Sequence, residues 1–178
     1  MVILGVMEPK LFVVTGAPGS GKSTAAQAFI QRRTSYLAYD IDWLGMVASD
    51  LAGKDIFFEP STWKPYGALW FEVLHTAYRN GRIAVFFSPN TPSDFASLGL
   101  PAWCRAIEWL LLDCDNVTRR ERLRSRPEWT APMIEDAIED ARDLRSRVTD
   151  RVDTARETPA QVARSILFWL DSHGLRPV

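Results

Sequence analysis

Cysteine, lysine and histidine are all scarce in this chain of 178 residues. Its two cysteines, Cys104 and Cys114, cannot make a disulfide framework. Neither belongs to a Cys-x-x-Cys pair, so no structural zinc site is expected, and both read as buried free thiols. Four lysines stand against seventeen arginines, and the formal net charge is −1. That balance excludes a generally basic nucleic-acid coat protein, while leaving room for a local basic patch. No apolar run is long enough to span a bilayer. The opening MVILGVMEPK has an apolar stretch of only seven residues with no basic run before it, too short for a secretory signal. There is no fixed-period repeat and no low-complexity tract. The reading is a cytoplasmic chain without a membrane partner.

Apolar residues make up 47% of the chain and charged residues 24%. This suits one packed domain over residues 1–178. Short apolar runs at 11–15, 36–39, 83–87 and 107–112, with a shorter one at 151–154, read as strands. Helical spacing marks 22–33, 62–80, 117–126, 132–147 and 160–172 as helices. In the second of these, Leu69, Val73, Leu74 and Ala77 are the expected apolar stripe. Residues 88–94, rich in Pro, Ser and Asn, read as a loop, and 43–60 are ambiguous. Nearly all-apolar strands alternating with helices predict an α/β fold, a parallel sheet covered on both faces. Ligands of such sheets bind beyond the carboxyl ends of the strands.

One motif lies just there. Gly16-Ala-Pro-Gly-Ser-Gly-Lys22-Ser23 follows the first strand and opens the first helix, fitting G-x-x-x-x-G-K-[ST] in the required context. Glycines let successive backbone N–H groups converge on phosphate, and the helix points its positive end at the same place. The expected triphosphate contacts are Gly16, Ala17, Pro18, Gly19, Ser20, Gly21, Lys22, Ser23 and Thr24. Lys22 brings a mobile cation to the β- and γ-phosphates. The Ser23 hydroxyl suits Mg²⁺, a hard cation that takes oxygen ligands. The motif predicts a nucleoside triphosphate, read as ATP, bound with Mg²⁺. There is no Asn-Lys-x-Asp guanine-reading motif and no Leu-Ser-Gly-Gly-Gln signature, which leaves a small kinase favoured over a GTPase switch or a transporter ATPase.

GAPGSGKST, YDIDWL at 39–44, LLLDCDNVTRRERLRSRP at 110–127 and VDTARETPAQVARSILFWL at 152–170 together resemble the P-loop kinases of small molecules. That group includes nucleoside and nucleotide monophosphate kinases, gluconate and shikimate kinases, adenylyl-sulfate kinase and chloramphenicol phosphotransferase. The resemblance implies a three-layer P-loop fold with a five-stranded parallel sheet of order 2-3-1-4-5. It also implies a short lid at about 126–147 and an acceptor-binding region at about 43–80.

Phosphoryl transfer to an alcohol needs a carboxylate that orients the hydroxyl and accepts its proton. Asp40 and Asp42 follow the second strand, and only one of them is expected to face a substrate. By resemblance to chloramphenicol phosphotransferase and polynucleotide kinases, Asp42 matches the base and Asp40 a holder of magnesium-bound water. Sequence leaves the assignment between the two open. Arg119, Arg122 and Arg126 fall on one helix face, with Arg120 and Arg124 elsewhere. The spacing of Arg122 and Arg126 resembles the start of a lid in which one arginine packs on adenine and the next reaches the triphosphate. That places Arg126 beside Lys22 among the expected catalytic cations. The helix carrying Arg142 and Arg145 could add to them.

Residues 57–75 are strongly aromatic. Trp63, Tyr66 and Glu59 are the expected acceptor contacts; Phe57, Trp70 and Phe71 are expected in the core. His75 reads as structural. The central reading is a kinase acting on the hydroxyl of a small molecule, such as a nucleoside, a sugar-like metabolite or an antibiotic. A polynucleotide 5′-hydroxyl kinase needs a basic aromatic channel, which the charge balance disfavours. A regulatory module that binds ATP and transfers nothing is the other alternative.

Overall fold

The computed structural model describes residues 9–173; the opening apolar stretch falls outside them. Five parallel strands form the sheet: β1 (Lys10–Thr15), β2 (Leu37–Asp40), β3 (Ala84–Phe87), β4 (Ala106–Asp113) and β5 (Arg151–Asp153), in the order β2-β3-β1-β4-β5. β1 lies at the centre, with Val13 opposite Phe86 of β3 and Trp109 of β4. The helices are α1 (Lys22–Gln31), α2 (Gly45–Ala52), α3 (Trp63–Arg79), α4 (Pro92–Leu98), α5 (Asn116–Arg124), α6 (Ala131–Arg147) and α7 (Pro159–His173). Among the described residues no helix is long and apolar enough to cross a membrane.

The near-continuous apolarity of β1 follows from burial on both faces. Side chains alternate along a strand. Phe12 and Val14 meet Ala25 and Phe29 of α1 and Trp169 and Leu170 of α7. Leu11 and Val13 meet Trp70, Phe71 and Leu74 of α3 and Phe95 of α4. Two apolar layers thus clamp the sheet, as the three-layer expectation requires. Cys104 and Cys114 are both buried and free.

Three local expectations need correction. The stripe of α3 is rotated from the one read above: Leu69 is 44% exposed, and Trp70, Phe71, Leu74 and Ala77 are the buried positions. The large rings win the sheet-facing side because they bury more area per residue than leucine. The loop at 88–94 ends early, because α4 begins at Pro92. Thr91 caps it in a capping box with Asp94, and proline occupies the first turn. Finally, α5 stops at Arg124, short of Arg126. Pro127 disfavours helical backbone in the residue before it, so Arg126 leaves the face it was expected to share. The ambiguous segment 43–60 contains a 3-10 turn at Ile41–Leu44, then α2, then a second 3-10 turn at Pro60–Thr62.

α6 packs through Ile134, Ala137, Ile138, Ala141 and Leu144. Its lower half meets Ala17 and Leu111, and its upper half meets Leu123 of α5. The hairpin of α5 and α6 is therefore seated over the phosphate loop.

Candidate active site

Residues 16–21 turn from the end of β1 into α1. Glycine at 16 is forced by close approach: a Cβ there would sit 2.5 Å from the Leu112 carbonyl and 2.5 Å from the Ser20 hydroxyl. Gly19 has φ +78°, a left-handed conformation that side chains resist. Every carbonyl of the loop is engaged. The Gly16 oxygen accepts from the Lys22 ammonium. The Ala17 oxygen accepts from Ser20 N at 3.1 Å, and the Gly21 oxygen from Ala25 N at 2.9 Å. The Pro18 oxygen accepts from Arg119, the Gly19 oxygen from Arg122 at 3.1 Å, and the Ser20 oxygen from the Thr154 hydroxyl at 2.7 Å. The first-turn amides of α1 have no intrahelical partner. The loop therefore offers N–H groups at the strand ends, the arrangement that binds anions.

Arg119 and Arg122, expected on one helix face, both bind partners within the protein. Arg119 is fully buried. It donates to Asp113 at 2.8 Å as well as to Pro18. Asp113 also receives Arg145, at 2.6 Å and 3.1 Å. Arg122 binds the Thr154 hydroxyl at 3.0 Å and the Thr154 carbonyl at 2.7 Å. It still lines a cleft of about 390 Å³ with Gly21, Thr24 and Arg126. Arg126 is exposed, and among the described residues its guanidinium has no hydrogen-bond or ion-pair partner. It lies close enough to depress the Lys22 ammonium electrostatically. Arg142, by contrast, pairs with Glu139 on the surface at 2.7 Å.

Lys22 and the two aspartates form one electrostatic unit. Burial pulls the Lys22 ammonium down to about 8, and Asp42 and Asp40 both oppose that fall. Both carboxylates thus act electrostatically on Lys22. Asp40 ends β2, and Asp42 lies in the 3-10 turn that follows. Asp40 is 5% exposed and accepts from Asp42 N at 3.1 Å. Burial holds its carboxyl above the usual range, opposed chiefly by the Asp42 amide and then by the charge of Lys22. A buried carboxylate near the Ser23 hydroxyl offers the oxygen donors that a hard divalent ion takes. Asp42 is exposed and carries no hydrogen bond on its carboxylate among the described residues.

Asp42 also lines a second space, an aromatic cavity of about 260 Å³ between α3, α4 and the end of β3. Trp63 and Tyr66 line it, as the sequence suggests. Phe57, expected in the core, is 45% exposed and lines it too, while the buried Trp70 and Phe71 form its floor. The Tyr66 hydroxyl and Trp70 Nε1 both donate to the Ile41 carbonyl, the latter at 3.1 Å. Trp70 packs on Phe86 with centroids 5.1 Å apart, and Phe71 on Phe95 at 5.3 Å. Glu59 is not on this wall: its carboxylate accepts from Ser61 N at 3.2 Å and caps the second 3-10 turn. A side-chain oxygen that accepts from a first-turn amide makes the N-cap contact, and Pro60 opens that turn. Asn90, in the segment read as a loop, also lines the wall. His75 is stacked on Trp103 at 5.0 Å, in a structural role.

No family model and no curated relative matches this chain. Solved structures do match in fold. A sugar kinase from a Janibacter species superposes with a TM-score of 0.64 at 20% identity, over 92% of this chain and 95% of its own. A gluconokinase from Sinorhizobium meliloti gives 0.62 at 22% identity, over 94% and 95%. The tunicamycin resistance protein of Deinococcus radiodurans gives 0.64 at 20% identity, over 92% and 95%. Together with the β2-β3-β1-β4-β5 sheet, these likenesses show that the chain shares the fold of those structures.

Proposed function

We propose that this chain is an ATP-dependent phosphotransferase acting on a hydroxyl group of a small molecule. The observation that supports this most is the double position of Asp42, which lines the aromatic cavity and acts on Lys22 of the phosphate loop. An alcohol held in the cavity beside Asp42 faces a triphosphate held on the loop. Asp42 orients the hydroxyl and takes its proton as the oxygen bonds to the γ-phosphorus. The bond from that phosphorus to the β–γ bridging oxygen breaks, and ADP leaves with the electron pair. Lys22 and Arg126 neutralise charge on the phosphates; loop amides fix their position. Ser23 and Asp40 would hold Mg²⁺, which when bound shields the β- and γ-phosphate oxygens.

The test is ADP release from Mg²⁺–ATP against a panel of nucleosides, sugars, aminoglycosides and an oligonucleotide. Stimulation by at least one small alcohol is expected. Stimulation by the oligonucleotide alone makes the chain a polynucleotide kinase. ATP binding without stimulation by any acceptor makes it a regulatory module. Calorimetry that finds no magnesium-dependent affinity for ATP overturns the reading altogether.

A further inference from the structure

The composition of the cavity wall bears on what can enter it. Among the described residues, no lysine, arginine or histidine lines the aromatic cavity, and Asp42 is its only charged residue. Beside it, sharing Trp63 and Asn90, lies a second space lined by Asp94, Asp140 and Asp143, again without a cationic side chain. A negatively charged acceptor would therefore meet carboxylates on both sides and no cation in either lining; Lys22 lies past Asp42 on the phosphate-loop side, and Arg147 is held by Asp143. An unpaired charge in a low-dielectric pocket is strongly disfavoured. The wall's polar handles are also spent. The Tyr66 hydroxyl and Trp70 Nε1 are committed to the Ile41 carbonyl, so both residues offer ring surface. Asn90 accepts from Ser88, which leaves its amide hydrogens, the Asp42 carboxylate and the acceptor side of the Tyr66 oxygen as the polar contacts. All three stand in the same wall. For scale, an apolar cavity of about 150 Å³ accepts one benzene; this one, at about 260 Å³, has room for a ring and its substituent.

We infer that the acceptor is a ring-bearing alcohol without an anionic group, its hydroxyl at the Asp42 end and its ring against Tyr66, Trp70 and Phe71. This rests on the phosphotransferase reading for the hydroxyl, but the exclusion of anions rests on the wall alone. It separates this chain from enzymes whose acceptors carry a carboxylate or a phosphate.

The test uses matched pairs: phenylethylene glycol against mandelate, and uridine against uridine monophosphate. Each is titrated calorimetrically into the full chain, with and without a non-hydrolysable ATP analogue, and then assayed for phosphoryl transfer. Wherever either member binds, the neutral one is expected to bind about tenfold or more tightly, a difference of about 1.4 kcal/mol. An anionic member that equals or exceeds its neutral partner overturns the inference, as does silence from all four compounds up to millimolar concentration. Neutral-selective binding without transfer to any of them supports the acceptor class while counting against the phosphotransferase reading, so the two failures are distinguishable.

Discussion

Arg119, with no exposed surface, shares the carboxylate of Asp113 with Arg145 and carries the carbonyl of Pro18 on its other amino group. A buried cation thus ties the fourth strand to the phosphate loop. Its removal leaves the loop carbonyl unpaired, although Asp113 keeps Arg145. Arg119→Met is expected to lose about 3 kcal/mol of stability, a fall of roughly 6–12 °C in melting temperature for a chain of this size. The exposed pair of Arg120 and Glu135 at 3.0 Å provides the control. Arg120→Ala should change stability by less than about 1 kcal/mol. Thermal unfolding of the two variants, side by side, checks the contrast.

Asp42→Asn keeps the shape of the side chain and removes its basicity. Turnover is expected to fall by about 10²–10⁴-fold, with Mg²⁺–ATP affinity retained because Asp42 touches neither loop amides nor Ser23. A coupled ADP assay beside calorimetry reads both quantities. Unchanged turnover removes Asp42 from the chemistry and shifts attention to Asp40.

Arg122 and Arg126 separate into different roles. Arg122 holds Gly19 and Thr154, so Arg122→Ala should lower both stability and nucleotide affinity. Arg126 is free of protein partners among the described residues, so Arg126→Ala should leave stability within about 0.5 kcal/mol. Its loss should still cut turnover about 10–100-fold, the worth of one charge-assisted hydrogen bond. Denaturant titration with steady-state kinetics distinguishes the two patterns.

The depressed Lys22 ammonium makes two pH dependences of opposite sign. In the folded chain it titrates near 8, against an ordinary 10.5. Between those values the unfolded chain binds more protons, so this residue's contribution favours folding increasingly as pH rises through the window and is constant below it. Triphosphate binding needs the charged form. ATP affinity should therefore fall as pH climbs past about 8, with proton uptake on binding. Calorimetry on either side of that pH, in two buffers of different ionisation heat, measures the uptake. Lys22→Gln should abolish both effects.

What was legible in the sequence follows physical lines. The loop from Gly16 to Ser23 could be read because its backbone shape dictates glycine at fixed spacing. The strands were legible because burial on two faces leaves unbroken apolar runs. Trp63 and Tyr66 could be placed on a cavity from their neighbourhood of rings and prolines. The same neighbourhood misled about Glu59, whose nearest amide wins its carboxylate, and about Phe57, which neighbours on α3 leave half open. The rest of the wall, Phe86, Pro89, Asn90 and Phe95, comes from another part of the chain and meets α3 only after the sheet has formed. Helix periodicity puts Arg119 and Arg122 on one face, but it does not say which protein groups that face touches.

The six loop carbonyls from Gly16 to Gly21 are all occupied by partners within the protein. The cradle is thus assembled before its guest arrives, and nucleotide capture needs little further loss of backbone entropy there. Preorganisation of this kind directs binding free energy to the transferring phosphoryl group and not to ordering the loop, and it makes the guanidinium supports of Arg119 and Arg122 a condition of that economy.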